Sequence, residues 1–302
     1  MSEYLLETTE LTKIFGEHRA SDSINIHVKK GSIYGLIGRN GAGKTTLMKM
    51  ITGLSNPTSG SFSINGQEGI PLKKVRELVG CHIEAPALYP DMTAYQNLKC
   101  KCIQRGIKDN AHINELLELV GLSDTGKKKT SEFSLGMKQR LGIAMALVGS
   151  PELLVLDEPI NGLDPQGIRE IREILLKLNQ KGLTILISSH ILDELAKIAT
   201  DYGIIHSGRL IEEVTAEKLF SMCRDKVVIK TSSPDKAVNV LDKMNIHDYC
   251  INHDRIEIEG HISETSTINA VLVNENISVD EIYVQSETLE DHYLKLTGGN
   301  ES

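Results

Sequence analysis

The chemistry of this chain concentrates first in Gly38–Arg39–Asn40–Gly41–Ala42–Gly43–Lys44–Thr45, a run that fits G-x-x-x-x-G-K-[ST]. The mostly apolar stretch Ser32–Ile37 precedes it. A helical pattern opens at Gly43, with Leu47, Met50 and Ile51 spaced to bury one side. Strand, glycine loop and helix in that order are what a phosphate-cradling loop requires. Gly38, Gly41 and Gly43 let backbone N–H groups turn inward around phosphate oxygens, and the helix amino terminus adds the positive end of its dipole. Lys44 is then placed to reach the β- and γ-phosphates of a nucleoside triphosphate, and Thr45 to offer its hydroxyl to Mg2+. Asn40 and Thr46 complete the expected nucleotide contacts. A glycine-rich turn ahead of an ordinary helix is the competing explanation, and the agreement of all three elements stands against it.

A second constellation follows. The apolar run Leu153–Leu156 ends in Asp157–Glu158. A carboxylate at the carboxyl edge of a buried strand faces the crevice where open α/β sheets bind ligands. Asp157 is expected to hold Mg2+ through water, and Glu158 to orient and polarise an attacking water. His190 follows Ser188–Ser189 at the end of the next apolar run, Leu183–Ile187. Alone, such a histidine reads as a satisfied structural residue; its place after a third strand of the same sheet lets it approach the γ-phosphate. Two segments stay open on their own residues. Ser134 suits the cap of a helix starting at Leu135, and a helix amino terminus carrying Ser134 and Gly136 is another anion site, with nothing local to say whose anion. Gly162–Leu163–Asp164–Pro165 could equally be a turn before a helix.

The elements that must position these groups alternate. Ile24, Ile26 and Val28 read as a strand, Lys29–Gly31 as a turn, and Ser32–Ile37 as a more buried strand. Thr93–Leu122 keeps a helical spacing, with Gly121 as its stop, and Leu135–Val148 gives another helix. Leu153–Leu156 and Leu183–Ile187 fit central parallel strands covered on both faces. The helical repeat of Gln166–Asn179 between them completes a βαβ unit, which makes the first two-thirds an α/β domain. Tyr202–Ile205 and Arg209–Glu213 suggest a closing hairpin. Composition shifts near Thr215–Phe220, so domains over 1–219 and 220–302 are expected. The second reads β-α-β-α-β through Lys226–Lys230, Asp235–Met244, Arg255–Glu259, Ser266–Asn274 and Ile282–Gln285, with a final amphipathic stretch at Thr288–Leu296. It holds no cluster of acids, histidines or cysteines suited to catalysis.

Composition narrows the function classes. The chain has 302 residues, 33 Lys and Arg against 41 Asp and Glu, and a formal net charge of −8. Nucleic-acid binders usually carry the opposite imbalance, so no nucleic-acid partner is expected. No apolar run approaches the roughly 18 residues that cross a bilayer. Met1–Glu10 lacks the basic-then-apolar pattern of a signal peptide. Five cysteines, with no CxxC pair or zinc spacing, suggest reduced thiols in a cytosolic protein. Cys100 and Cys102 are one residue apart and read as packing rather than as metal ligands.

The order of motifs resembles the ATP-binding subunits of ABC transporters, from about Tyr4 to about Leu219: phosphate loop, signature segment Phe133–Met137, aspartate–glutamate strand, Gly162–Asp164 loop and His190, in sequence. The resemblance implies a P-loop NTPase of ABC type, with a mixed sheet core and antiparallel β and helical subdomains, followed by the small α+β domain. It implies an ATP hydrolase with ATP and Mg2+ as cofactors, working head to tail with a second copy or a homologous subunit. Ser134 and Gly136 of one copy would then bind the γ-phosphate held by the other copy's loop, with Asp164 at the same junction. Phe15 matches the aromatic that stacks on adenine. Glu84 stands where a glutamine is usual and would contact Mg2+. Leu135 stands where a glycine is usual, and Met137 where glutamine is usual. Ile-Glu-x-Pro-x-Leu-Tyr-Pro over 83–90 and the terminal Thr288–Leu294 resemble the bacitracin-type and lantibiotic-type export or immunity subgroup. The expected partner is a polytopic membrane permease, with the subunit peripheral on the inner face of the cell membrane. A soluble ABC ATPase acting on ribosomes or nucleic acid, and a non-hydrolysing regulatory subunit, are the alternatives. The single phosphate loop and the acidic charge oppose the former; intact Lys44, Asp157, Glu158 and His190 oppose the latter.

Overall fold

The computed structural model describes residues 3–222, 225–285 and 289–297; Cys223, Thr288 and the Gly298–Gly299 pair lie outside them. The chain divides into two units, Met1–Ala216 and Glu217–Ser302. The first unit begins with β1 (Tyr4–Phe15), β2 (His18–Ile24), β3 (His27–Lys29), β4 (Ile33–Ile37), α1 (Lys44–Ile51), β5 (Ser59–Ile64) and β6 (Gln67–Glu68). Next come α2 (Leu72–Leu78), β7 (Val79–His82), α3 (Ala94–Gln104), α4 (Asn110–Leu119) and α5 (Leu135–Leu147). It closes with β8 (Leu153–Asp157), α6 (Pro165–Gln180), β9 (Thr184–Ser189), α7 (Leu192–Leu195), β10 (Asp201–His206) and β11 (Arg209–Thr215).

A six-stranded sheet in the order β11-β10-β4-β9-β8-β7 is the centre of this unit. Its pairs are parallel except β10 with β11. Every residue of β4, β8 and β9 is buried, as the unbroken apolar runs demand of strands covered on both faces. Ile37 pairs with Ser189, Asp157 with Ser188, and His82 with Leu156, so these strands end at one edge. Gly38, Glu158, His190 and Glu84 therefore leave the sheet together.

A second, antiparallel sheet runs β2-β1-β5-β6, with β3 also on β1. Here the structure departs from the sequence reading. Tyr4–Phe15 is a twelve-residue strand that no alternation announced. Ile24 ends β2 and Val28 belongs to β3, so the expected single strand is two that both pair with β1. The helical run expected over Thr93–Leu122 is also two helices. Gly106 turns left-handed (φ 73) after α3, and Asp109 restarts the helix by accepting the Ala111 N–H. Thr93 and Gln96 form a capping box at the start of α3.

Helix α8 (Ala216–Met222) follows β11. The second unit contains β12 (Lys226–Lys230), α9 (Pro234–Lys243), β13 (Tyr249–Asn252), β14 (Arg255–Glu259), α10 (Thr265–Asn274), β15 (Glu281–Gln285) and α11 (Leu289–Leu296). Its antiparallel sheet has the order β13-β14-β12-β15. The connectivity is thus β-α-β-β-α-β, the split βαβ arrangement, with one strand, β13, beyond the expected β-α-β-α-β. Val227, Ile229, Ile256 and Ile258 pack on Val240, Leu241, Ile268 and Leu272 to form its core. No helix among the described residues is long and apolar enough to cross a membrane.

Candidate functional site

The loop after β4 is shaped by its glycines at two points. Gly43 has φ +106, and a Cβ there would lie 2.3 Å from the Ala20 carbonyl oxygen; a Cβ on Gly38 would lie 2.5 Å from that of Ile205. Lys44 is buried. Its Nζ donates to the Gly38 carbonyl (2.6 Å) and lies 3.2 Å from Glu158 Oε1. Thr45 Oγ1 donates to Asp157 Oδ2 (2.7 Å), and Ser188 Oγ donates to Asp157 Oδ1 (2.6 Å). The same Ser188 hydroxyl accepts the Glu158 N–H (2.9 Å), which fixes a residue held at φ 48. Glu158 Oε2 lies 2.7 Å from His190 Nδ1. Glu158 Oε1 is buried and receives no hydrogen bond, so its contact with Lys44 is ionic.

Of these groups Gly43, Lys44, Thr45 and Glu158 line a hollow of about 340 Å3 with Phe15, Asn40, Gly41 and Thr46, and Asp157 and His190 reach it through their contacts with Thr45 and Glu158. Phe15 is 55% exposed, which excludes a core role, and Lys13 Nζ sits 5.1 Å from its ring centroid. The role of Ser188, and the place of His18 in the lining of this hollow, were not readable in the sequence. Ser188 shows there only as a neighbour of His190, because a side chain binding both residues of the acidic pair depends on the register of β8 against β9.

Ser134, Gly136 and Asp164 are not in this hollow. They line another of about 450 Å3, with Leu135, Leu163 and Arg140. Ser134 caps α5, accepting the Met137 N–H (3.2 Å), and Asp164 caps α6, accepting the Gly167 N–H (2.9 Å). A Cβ on Gly136 would meet nothing nearer than Leu163 Cδ2 at 3.9 Å, so packing within the chain does not call for glycine there. Leu135, at the position where glycine was expected, is 47% exposed. One chain thus separates the predicted phosphate-binding residues into two places.

Glu84 follows β7 with φ 63, and its carboxylate accepts from Lys49 Nζ. Two residues earlier, buried His82 shares a hydrogen bond with Gln139 of α5. Burial pushes the His82 imidazole below its ordinary range, while the Gln139 bond and the Asp157 charge pull it partly back. Well above pH 6.5, the ordinary histidine value, neither the folded nor the unfolded chain carries a proton at this position. Below that, the unfolded chain takes the proton more readily, so stability falls as pH falls. Melting curves between pH 7.5 and 5 should show the wild type losing roughly 2–4 °C more than His82→Gln, a difference of about 1 kcal/mol in a domain of this size. Parallel curves would show that His82 contributes nothing to the acid sensitivity.

Residues 21–161 match the family model described as ABC transporter. The bacitracin transport ATP-binding protein BcrA of Bacillus licheniformis is 43% identical over 299 residues, 98% of this chain and 98% of its own length. The lantibiotic transport ATP-binding protein SrtF of Streptococcus pyogenes is 45% identical over 209 residues, 69% of this chain and 90% of its own. Among solved structures, cbiO1 from Clostridium perfringens, part of the ABC transporter complex cbiONQ, superposes with a TM-score of 0.66 at 26% identity over 81% of this chain and 97% of its own. A phosphate loop facing an Asp–Glu strand end and a histidine, together with near full-length likeness to BcrA, gives the conclusion: the chain belongs to the ATP-binding, ATP-hydrolysing subunits of ABC transporters.

Proposed function

We propose that two copies of this chain, or one copy and a homologous subunit, clasp ATP between them and drive a separate polytopic membrane permease that exports a peptide antibiotic of the bacitracin or lantibiotic type. The division of the phosphate-binding residues between two hollows of one chain carries this reading. Each chain offers a loop that holds the triphosphate and, elsewhere, a serine-capped helix start with open space at Gly136. Head-to-tail pairing brings the two halves together, and the γ-phosphate supplies the charge that joins them.

Within each composite site, the Gly38–Gly43 backbone and Lys44 hold the phosphates, with Phe15 stacked on the base. Glu158, fixed by Ser188 and His190, orients water for attack on the γ-phosphate and takes its proton, while His190 stays near the transferring group. Thr45 and Asp157 present hard oxygen donors in contact with each other, and the next residue, Glu158, keeps a buried carboxylate oxygen that receives no hydrogen bond; this donor set suits Mg2+, and Glu84 would add a further oxygen. Mg2+, when bound, neutralises charge developing on the β- and γ-phosphate oxygens. The subunit works peripherally on the inner face of the cell membrane.

The test is co-purification of the tagged chain with its membrane partner. A polytopic protein should come down with it, and bacitracin-type or lantibiotic-type peptides should raise ATP turnover of the complex. Lys44→Ala should abolish that turnover, with nucleotide affinity down about 100-fold or more, as losing a buried phosphate-paired cation implies. A chain that purifies alone and responds to no peptide would refute the export role.

A further inference from the structure

Helix α1 meets the carboxyl edge of the central sheet through three side chains in succession. Lys44 Nζ lies 3.2 Å from Glu158 Oε1, Thr45 Oγ1 donates to Asp157 Oδ2, and Lys49 Nζ donates to Glu84 Oε1. Thr45 and Lys49 are four residues apart and so lie on one helix face, a turn from each other. Parallel pairing of β7 with β8 makes Glu84 leave the sheet at the same edge as Asp157 and Glu158. Three carboxylates therefore gather where a triphosphate is to bind. Lys44 faces one of them and the Thr45 hydroxyl another. Lys49 faces the third, in a residue that also holds the left-handed backbone costly for any side chain but glycine.

We propose that Lys49 is a positioning residue for Glu84: it takes up that carboxylate's charge, so that Glu84 does not oppose the incoming triphosphate, and it holds Glu84 one turn from Thr45, from where it is released to Mg2+. This rests on the ATP and Mg2+ reading given above. Lys49 touches neither nucleotide nor metal in this scheme. Its effect on binding is exerted entirely through Glu84, and it changes sign with the metal. The side chains are 35% and 65% exposed, so the pair is screened and its effect is moderate.

The test titrates the full-length chain with a fluorescent ATP analogue in EDTA and then in Mg2+. Lys49→Met, which leaves Glu84 uncompensated, should weaken binding in EDTA by about three- to fivefold, the upper range for a half-exposed ion pair. It should also gain more affinity than the wild type when Mg2+ is added. Glu84→Gln should tighten binding in EDTA and gain less from Mg2+. The Lys49→Met/Glu84→Gln double variant should return to within about twofold of the wild type in EDTA. Equal values for Lys49→Met and the double variant would mean that Lys49 acts independently of Glu84, and would overturn the proposal. So would a Lys49→Met protein that binds as the wild type does. Melting curves verify each fold; should Lys49→Met not fold, Lys49→Gln, which also removes the charge, takes its place with the same expectations, and Lys49→Arg, which keeps the pair, should bind as the wild type does in EDTA and in Mg2+. Lys44→Ala separates the two levels. If it binds nucleotide normally, the ATP site itself is wrong; if it loses nucleotide while Lys49→Met changes nothing, only the role of Lys49 falls.

Discussion

Replacing Glu158 by glutamine should leave ATP bound while turnover falls by about 100- to 10,000-fold, the range that a positioned general base supplies. The substitution keeps the shape of a side chain that is already over-determined. The Glu158 N–H still donates to Ser188 Oγ, and an amide oxygen can still meet His190 Nδ1, so the geometry at 2.9 Å and 2.7 Å survives. What disappears is the carboxylate's capacity to draw a proton from water. Affinity should hold or rise, because Glu158 Oε1 lies 3.2 Å from Lys44 Nζ and competes with phosphate oxygens for the same ammonium. Removing that negative charge frees Lys44 for the triphosphate. Bound but uncleaved ATP should then hold paired chains together, and size-exclusion chromatography with ATP should show a dimer peak that the wild type does not retain. Turnover at the wild-type rate would remove Glu158 from its role and pass the proton to another group.

The phosphate loop, the acidic strand end and His190 are legible because each is a local pattern attached to a buried parallel strand, and such strands announce themselves as apolar runs. Elements that escaped lack that property. Strand β1 is long, but its burial is interrupted by exposed Thr9 and Glu10, and register shifts break its pairing with β2 and β5, so no period of two survives along it. Strand β13 is a four-residue edge strand whose residues are all at least partly exposed, which leaves no hydrophobic signal to read. The division of Thr93–Leu122 did leave marks, Gly106 and Asp109, yet apolar residues keep a helical spacing across the break and mask it. Partnerships between distant segments are the other blind spot. Ser188 with Asp157, Lys49 with Glu84 and His82 with Gln139 join residues 31, 35 and 57 apart in sequence. Only the strand register and the packing of α1 and α5 on the sheet decide which side chains meet.

Ser134→Arg should abolish ATP-driven pairing, and with it turnover by about 100-fold or more, while a single chain still binds nucleotide. Within its own chain Ser134 has a modest structural task. Its hydroxyl accepts the Met137 N–H at 3.2 Å and caps α5, a contact worth about 1 kcal/mol. That loss alone is too small to unfold a helix whose Leu141, Ile143 and Ala144 are fully buried. Ser134→Ala therefore serves as the control: it removes the cap, lowers the melting temperature slightly and adds no bulk. Arginine adds a long cation beside Gly136 and Leu163, in the hollow that the partner's γ-phosphate is proposed to enter. It fills the space that pairing needs and stays remote from Lys44, because that hollow contains none of the loop residues that line the other. Nucleotide affinity of the isolated chain should therefore match the wild type within about twofold, as expected of independent sites, and the dimer peak of Glu158→Gln should vanish when Ser134→Arg is added to it. If Ser134→Arg instead strips ATP from the single chain, Ser134 contacts the nucleotide held by its own loop. Each subunit would then enclose its ATP alone, and pairing would have to be driven by something other than a shared γ-phosphate.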